Sequence, residues 1–210
     1  MSKPTSKITR TINSEQVLTA FVAVVRKNLP LNLKNTRITE DDIIYALAYA
    51  NVHRLSIESA CQELQGAPSG NRLREVLVDA LPDRIGMQRM LNRMFRQQLH
   101  PSIWKGKRDF NIAIDLTLIP YHGQPYEDKK EIVRSLPKSG TTHFHGYATV
   151  SIVRDDRRYV VALHFIEYGE EMADIVRWLI KRLKTLKIRI RRVFLDKGFC
   201  SKPVFKVLNQ

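Results

Sequence analysis

Acidic side chains are scarce in this chain: 21 Asp and Glu stand against 35 Lys and Arg, a net charge of +14. Such an excess favours a polyanionic partner, nucleic acid first and an anionic membrane second. Long apolar runs are missing too. The best, Leu18 to Val25, is eight residues long, far below the roughly 20 that a bilayer-spanning helix needs. The first residues include Lys3, Lys7 and Arg10 but no apolar core followed by a small-residue cleavage site, so no secretory signal is expected. There are only two cysteines, Cys61 and Cys200, without companions at metal-ligand spacing. That argues against a disulfide scaffold or a zinc site and fits thiols in a reducing cytoplasm. The six histidines form no ligand motif; His143 and His145 alternate along one strand face with no carboxylate or Cys at matching spacing. With no membrane anchor, nucleic acid becomes the better reading of the charge.

What is present is a globular composition, 43% hydrophobic and 27% charged, sufficient for one large domain or two small ones. Residues 1–12 read as a basic tail. Asn13 with Gln16 resembles a capping box, and Val17, Leu18, Phe21, Val24 and Val25 follow at helical spacing until Pro30. Thr39 with Asp42 opens a second helix. A third holds Ile57 to Leu64, and a fourth has Leu73, Val76 and Leu77 on one face. Pro82 and Asp83 open a fifth, with Met87, Met90, Leu91, Met94 and Phe95. His100-Pro101-Ser102 and the basic stretch Lys105-Gly106-Lys107-Arg108 mark a junction.

Beyond the junction the hydrophobic period falls towards 2. Phe110 to Ile114 reads as a strand and Tyr121 to Gly140 as a loop. His143 to Val153 and Arg158 to Ile166 form a hairpin turning at Asp155-Asp156. Ala173 to Lys184 is helical, Ile188 to Leu195 a strand, and Lys202 to Leu208 a helix. The expected class is α+β in two parts: an all-helical domain over 13–104 and an incomplete α/β domain over 105–210 in the order β-β-β-α-β-α.

Two apolar strands run into aspartates: Asp115 after Phe110 to Ile114, and Asp196 after Val193-Phe194-Leu195. A carboxylate there is costly unless a cation sits beside it. Strand, hairpin, helix, strand is the order expected of an RNase H-like sheet, in which the first strand is central and the strand after the helix lies parallel beside it. Asp115 and Asp196 would then be neighbours, repelling one another unless divalent ions bridge them. The plainer alternative is that each aspartate caps a loop or helix. Neither has an adjacent His or Ser, so a hydrolase triad is not indicated.

Ile114-Asp115-Leu116-Thr117 and Leu195-Asp196-Lys197-Gly198-Phe199 resemble the first and second acidic motifs of DDE-type transposases from prokaryotic insertion sequences. Pro120-Tyr121-His122-Gly123, Gly140-Thr141-Thr142-His143 and the hairpin are similar as well, so the resemblance spans about residues 109–208. It implies an RNase H-like catalytic domain, two Mg²⁺ or Mn²⁺ ions, and DNA cleavage and strand transfer at terminal inverted repeats and target DNA. It also implies a third carboxylate, a glutamate on a helix after a further strand. The chain stops 14 residues beyond Asp196 with no acidic residue among them. The expectation is therefore a C-terminally truncated enzyme, inactive alone or nearly so, or a non-catalytic DNA-binding fragment acting as a transposition inhibitor. Glu170, Glu171 or Asp174 could substitute as a ligand. A generic RNase H-like nuclease without strand transfer is a further reading. A sheet without its last strands would leave an open edge inviting self-association.

DNA contacts are expected from Lys181, Arg182 and Lys184 within the run Arg177 to Arg192, which holds eight basic and no acidic residues. The alternative there is a solvated helix face and a charged strand edge. A helix-turn-helix is the second candidate, with Ile57 to Leu64 supporting and Asn71, Arg72 and Arg74 at the start of the recognition helix. A plain helical bundle in which Gly66 and Gly70 serve the loop competes with it. Lys105, Lys107 and Arg108 would track the backbone in either case.

Overall fold

The computed structural model describes residues 13–34, 36–99, 103, 109–123, 129–154 and 157–209. The protein is α+β, and it divides into two units between Pro82 and Asp83. Among the described residues, no helix is long and apolar enough to cross a membrane.

The first unit contains α1 (Ser14–Asn28), α2 (Glu40–His53), α3 (Ile57–Glu63) and α4 (Gly70–Ala80). Local chemistry starts each helix. Asn13 and Gln16 form a reciprocal capping box, as do Thr39 and Asp42, while Ser56 and Ser69 cap α3 and α4. Each satisfies N–H groups that a helix cannot pair internally. The core gathers Ile43, Ala46, Cys61, Leu73, Val76 and Leu77. Burial pushes the Cys61 thiol above its ordinary range, which keeps it protonated and unreactive. Gly66 turns the chain with a φ of +78°. Gly70 does more than serve the loop: a Cβ there would lie 2.5 Å from Glu58 Cα, so glycine lets α4 start against α3.

The second unit is a mixed sheet with helices. It comprises α5 (Arg84–Gln98), β1 (Asp109–Pro120), β2 (Val133–Lys138), β3 (Thr141–Arg154), β4 (Arg157–Ile166), α6 (Met172–Thr185), β5 (Arg189–Leu195) and α7 (Lys202–Leu208). β3 pairs antiparallel with β1 along one edge; β4 and then β2 pair antiparallel along the other. β5 pairs parallel with β1. The β1 residues Phe110, Ile112 and Ile114 are buried, against Ile175, Val176, Leu179 and Leu183 of α6 in one core with Phe144, Val150 and Ile152. By strand alternation, Asn111, Ala113 and Asp115 point from the opposite face.

Two features differ from the expectation. β2 occupies part of the anticipated loop. It is exposed after Val133, contains Pro137 and pairs on one side only, so it carries no alternation to read, and proline is tolerated at such an edge. The second difference is that α5 belongs with the sheet, so the helical stretch anticipated over 13–104 is shared between the two units. The cause is a polar stripe at i, i+4, i+8. Asn92 donates through Nδ2 to the Leu163 carbonyl at 2.9 Å and accepts the Leu163 N–H on Oδ1 at 2.8 Å. Gln88 Oε1 accepts the Phe165 N–H, and Arg84 donates to the Ile166 carbonyl. The three side chains stand in for a neighbouring strand and close the β4 edge. The turn expected at Asp155-Asp156 lies outside the described residues.

Asn92→Leu removes both partners of Leu163, and each stranded buried backbone group costs about 1–3 kcal/mol. Equilibrium denaturation should show a loss of roughly 2–4 kcal/mol; a loss within about 0.5 kcal/mol, the range of a neutral surface change, would show that the edge is satisfied otherwise.

Candidate metal centre and nucleic-acid interface

The β1–β5 ladder builds the site. Its register runs Ile112 with Val193, Ala113 with Phe194, and Ile114 with Leu195. The next step sets Asp115 beside Asp196, and the Asp196 N–H donates to the Ile114 carbonyl at 2.9 Å. At this point β5 ends. The Asp196 carbonyl turns away to accept the Phe199 N–H, and Asp196 Oδ2 takes the Leu116 N–H at 3.4 Å instead. Neighbouring strands lie about 4.8 Å apart, so Asp115 and Asp196 are neighbours across the ladder. Gly198 lies close under the pair: a Cβ there would sit 2.7 Å from Leu116 Cδ2.

Neither aspartate behaves as a cap. Asp196 stands at the N-cap of the Lys197–Phe199 turn without a side-chain cap hydrogen bond. Asp115 is exposed in mid-strand, because β1 continues to Pro120 rather than ending at the aspartate. Among the described residues the Asp115 carboxylate has no hydrogen bond or ion pair, and no group of three or more His, Cys, Asp and Glu is disposed to hold a metal. The pair fits Mg²⁺, which takes one or two carboxylates and keeps several waters for exchange with phosphate oxygens. It does not make a closed structural metal site. The substitute ligands are engaged elsewhere. Glu170 Oε1 lies 2.7 Å from His164 Nε2, and its other oxygen accepts the Glu167 N–H. Asp174 pairs with Arg177, and Glu171 stands at the N-cap of α6.

The expected DNA contacts separate into three groups. Lys105, Lys107 and Arg108 lie outside the described residues. On α4, Asn71, Arg72 and Arg74 are exposed, but Arg72 pairs with Glu75 at 2.8 Å, and Arg74 reaches Asn71 and lies 3.7 Å from Glu58. The unit around them is nearly neutral, with seven basic and eight acidic residues over 13–82. Residues 83–210 hold 25 basic and 13 acidic, so the sheet unit carries the positive charge. On α6, Lys181 and Lys184 are exposed and Arg182 half-buried. With Arg177, the two lysines form a stripe on the side of α6 away from the sheet. Because α6 covers the Ile112–Ile114 face, this stripe and Asp115 lie on opposite sides of the sheet.

The register also sets on the carboxylate side a basic residue that the sequence shows only as the end of the run Arg177 to Arg192. Phe110 pairs with Ile190 and Asn111 with Arg192, so Arg191 is an extra residue in a β-bulge. The bulge keeps Ile190 and Val193 both towards the core and leaves Arg191 and Arg192 both exposed. Arg192, opposite Asn111, shares the Asp115 face. The signal was in the sequence: Ile190 and Val193 are three apart, which an unbroken strand cannot bury on one face.

The chain matches no protein-family model and no curated protein.

Two bare carboxylates side by side repel. Asp115→Asn should raise the melting temperature in EDTA by about 1–4 °C, and the gain should vanish in 10 mM Mg²⁺. A lower melting temperature in EDTA would mean that Asp115 has a structural partner instead.

Proposed function

We propose that this protein performs divalent-metal-dependent phosphodiester chemistry on double-stranded DNA, of the kind carried out by DDE-type transposases, with Asp115 and Asp196 holding Mg²⁺ or Mn²⁺ in an RNase H-like sheet. The observation that carries the reading is the parallel β1–β5 register: it brings together two carboxylates, neither spent on capping, on an open sheet face. The strand order β4-β3-β1-β5, with β1 antiparallel to β3 and parallel to β5, supports the fold assignment. So does α6, which carries the chain from β4 back across the sheet.

The chemical roles follow from the residues. Asp115 and Asp196 supply negative charge that no ion pair neutralises among the described residues. Asp115 and Asp196 would hold the divalent ions, whose chemistry there would be activation of water or a 3′-hydroxyl and neutralisation of charge on the phosphate. Arg192 on the same face is suited to a phosphate oxygen of the bound strand. The Leu116 N–H bond and the close packing of Gly198 on Leu116 hold the Asp196 side chain near β1. Joining of supplied DNA ends, rather than cutting alone, would separate transposition from simple nuclease action.

A second reading is a non-catalytic DNA-binding protein that restrains transposition. The observation favouring it is the α6 stripe, which lies on the far side of the sheet from the carboxylates and could hold DNA without presenting it to them.

The two readings separate in a binding titration of duplex DNA ends. Under the metal-dependent reading, Mg²⁺ strengthens binding several-fold over EDTA at constant ionic strength, and Asp115→Asn and Asp196→Asn abolish that increment. Lys181→Ala and Lys184→Ala should each flatten the log–log salt slope by roughly 0.9 in both cases. Affinity indifferent to Mg²⁺, with aspartate variants indistinguishable from wild type, would leave only the second reading.

A further inference from the structure

We propose that the first unit is a homodimerisation module, in which α1 of one copy seats in the groove between α1 and α2 of another. The groove encloses about 940 Å³. Its walls are apolar: Val17, Leu18 and Phe21 on α1, and Tyr45, Tyr49 and Val52 on α2. These residues recur at helical spacing, yet Val17 is 58% exposed, Phe21 45% and Val52 77%. Helix α1 buries only Val22, Val25 and Asn28. Its first two turns therefore present an apolar ridge without a counterpart among the described residues of the unit.

The ridge and the groove belong to one patch, and that geometry selects a second copy as the occupant. A two-fold axis along the groove lays each ridge in the other copy's groove, the same surface serving both partners. Area supports this. The exposed parts of Val17, Leu18, Phe21, Tyr45 and Val52 come to roughly 450 Å², already large for an apolar patch on a monomer. The rest of the groove lining raises this towards the roughly 800 Å² per partner of a standard interface. Charge supports it too. The chain as a whole is strongly basic, but residues 13–82 carry seven basic and eight acidic side chains, so two copies meet here with almost no net repulsion. Among the polar side chains lining the groove, Asp42 is held in its capping box and the Tyr49 hydroxyl donates to Glu63 at 2.8 Å.

Sedimentation equilibrium of the full chain in 0.5 M salt tests this. The expected species has twice the chain mass of 24.4 kDa. Val17→Glu and Val52→Glu, both at exposed helix positions, should each weaken dimerisation at least tenfold, with unchanged circular dichroism and melting temperature of the isolated monomer. In a Cys200→Ser background, chains carrying Val17→Cys mixed with chains carrying Val52→Cys should form an intermolecular disulfide. A wild-type chain still monomeric at 100 µM overturns the proposal, as does a dimer indifferent to both glutamates. Loss of monomer stability in the glutamate variants without any dimer in the wild type would mean that the groove is filled by the chain itself, and would equally overturn it.

Discussion

Parallel pairing of β1 with β5 is the constraint on which the site depends. Three pairs of buried or half-buried side chains, Phe110 with Ile190, Ile112 with Val193 and Ile114 with Leu195, hold the two strands in register, and a single bulge at Arg191 resets that register before the aspartates are reached. A slip of β5 by one residue would turn Asp196 to the face opposite Asp115 and take Val193 and Leu195 away from the core. The energy that sets the carboxylates together is thus not electrostatic. Burial of the aliphatic face against α6 fixes the register, and the repulsion between two exposed aspartates is small beside it. Without a counter-ion the pair is an electrostatic defect held in place by a hydrophobic core, which is the usual relation between a functional site and its scaffold.

Much of this was legible in the sequence because it is local or periodic. The helix starts at Asn13, Thr39 and Asp83 were written in side chains that reach their own backbone three residues on. The first strand of the hairpin alternates plainly. The pairing of Asp115 with Asp196 could be anticipated from topology, since a strand returning after a helix tends to lie parallel beside an earlier one. β2 could not be read, because an exposed edge strand has no buried face to impose a period. The place of α5 could not be read either. Arg84, Gln88 and Asn92 look like a solvent-facing stripe, and only their partners on β4 show that they substitute for a strand. The basic run after Arg177 was visible as charge, but which side of the sheet each residue takes depends on a bulge and on the face that α6 covers.

The division of charge follows the division of the chain. The near-neutral helical unit holds Arg26, Arg72 and Arg74 in pairs with acidic side chains of its own helices. The sheet unit leaves Lys181, Lys184, Arg191 and Arg192 without ion pairs among the described residues. A polyanion would therefore be held chiefly by the sheet unit, with contacts on both of its sides. Exposed apolar side chains occur on both units: Val17, Leu18, Phe21, Tyr45 and Val52 on α1 and α2, and Ile119, Leu136, Phe194 and Phe205 among those of the sheet unit.

The central claim is that Asp115 and Asp196 converge on one divalent centre. Crystals soaked in Mn²⁺ and measured for anomalous scattering test it most directly. The account predicts a peak about 2.0–2.3 Å from an oxygen of each aspartate, within the range of carboxylate–metal bonds, and its disappearance in Asp196→Asn crystals. Peaks bound to other side chains, with none bridging these two, would contradict it.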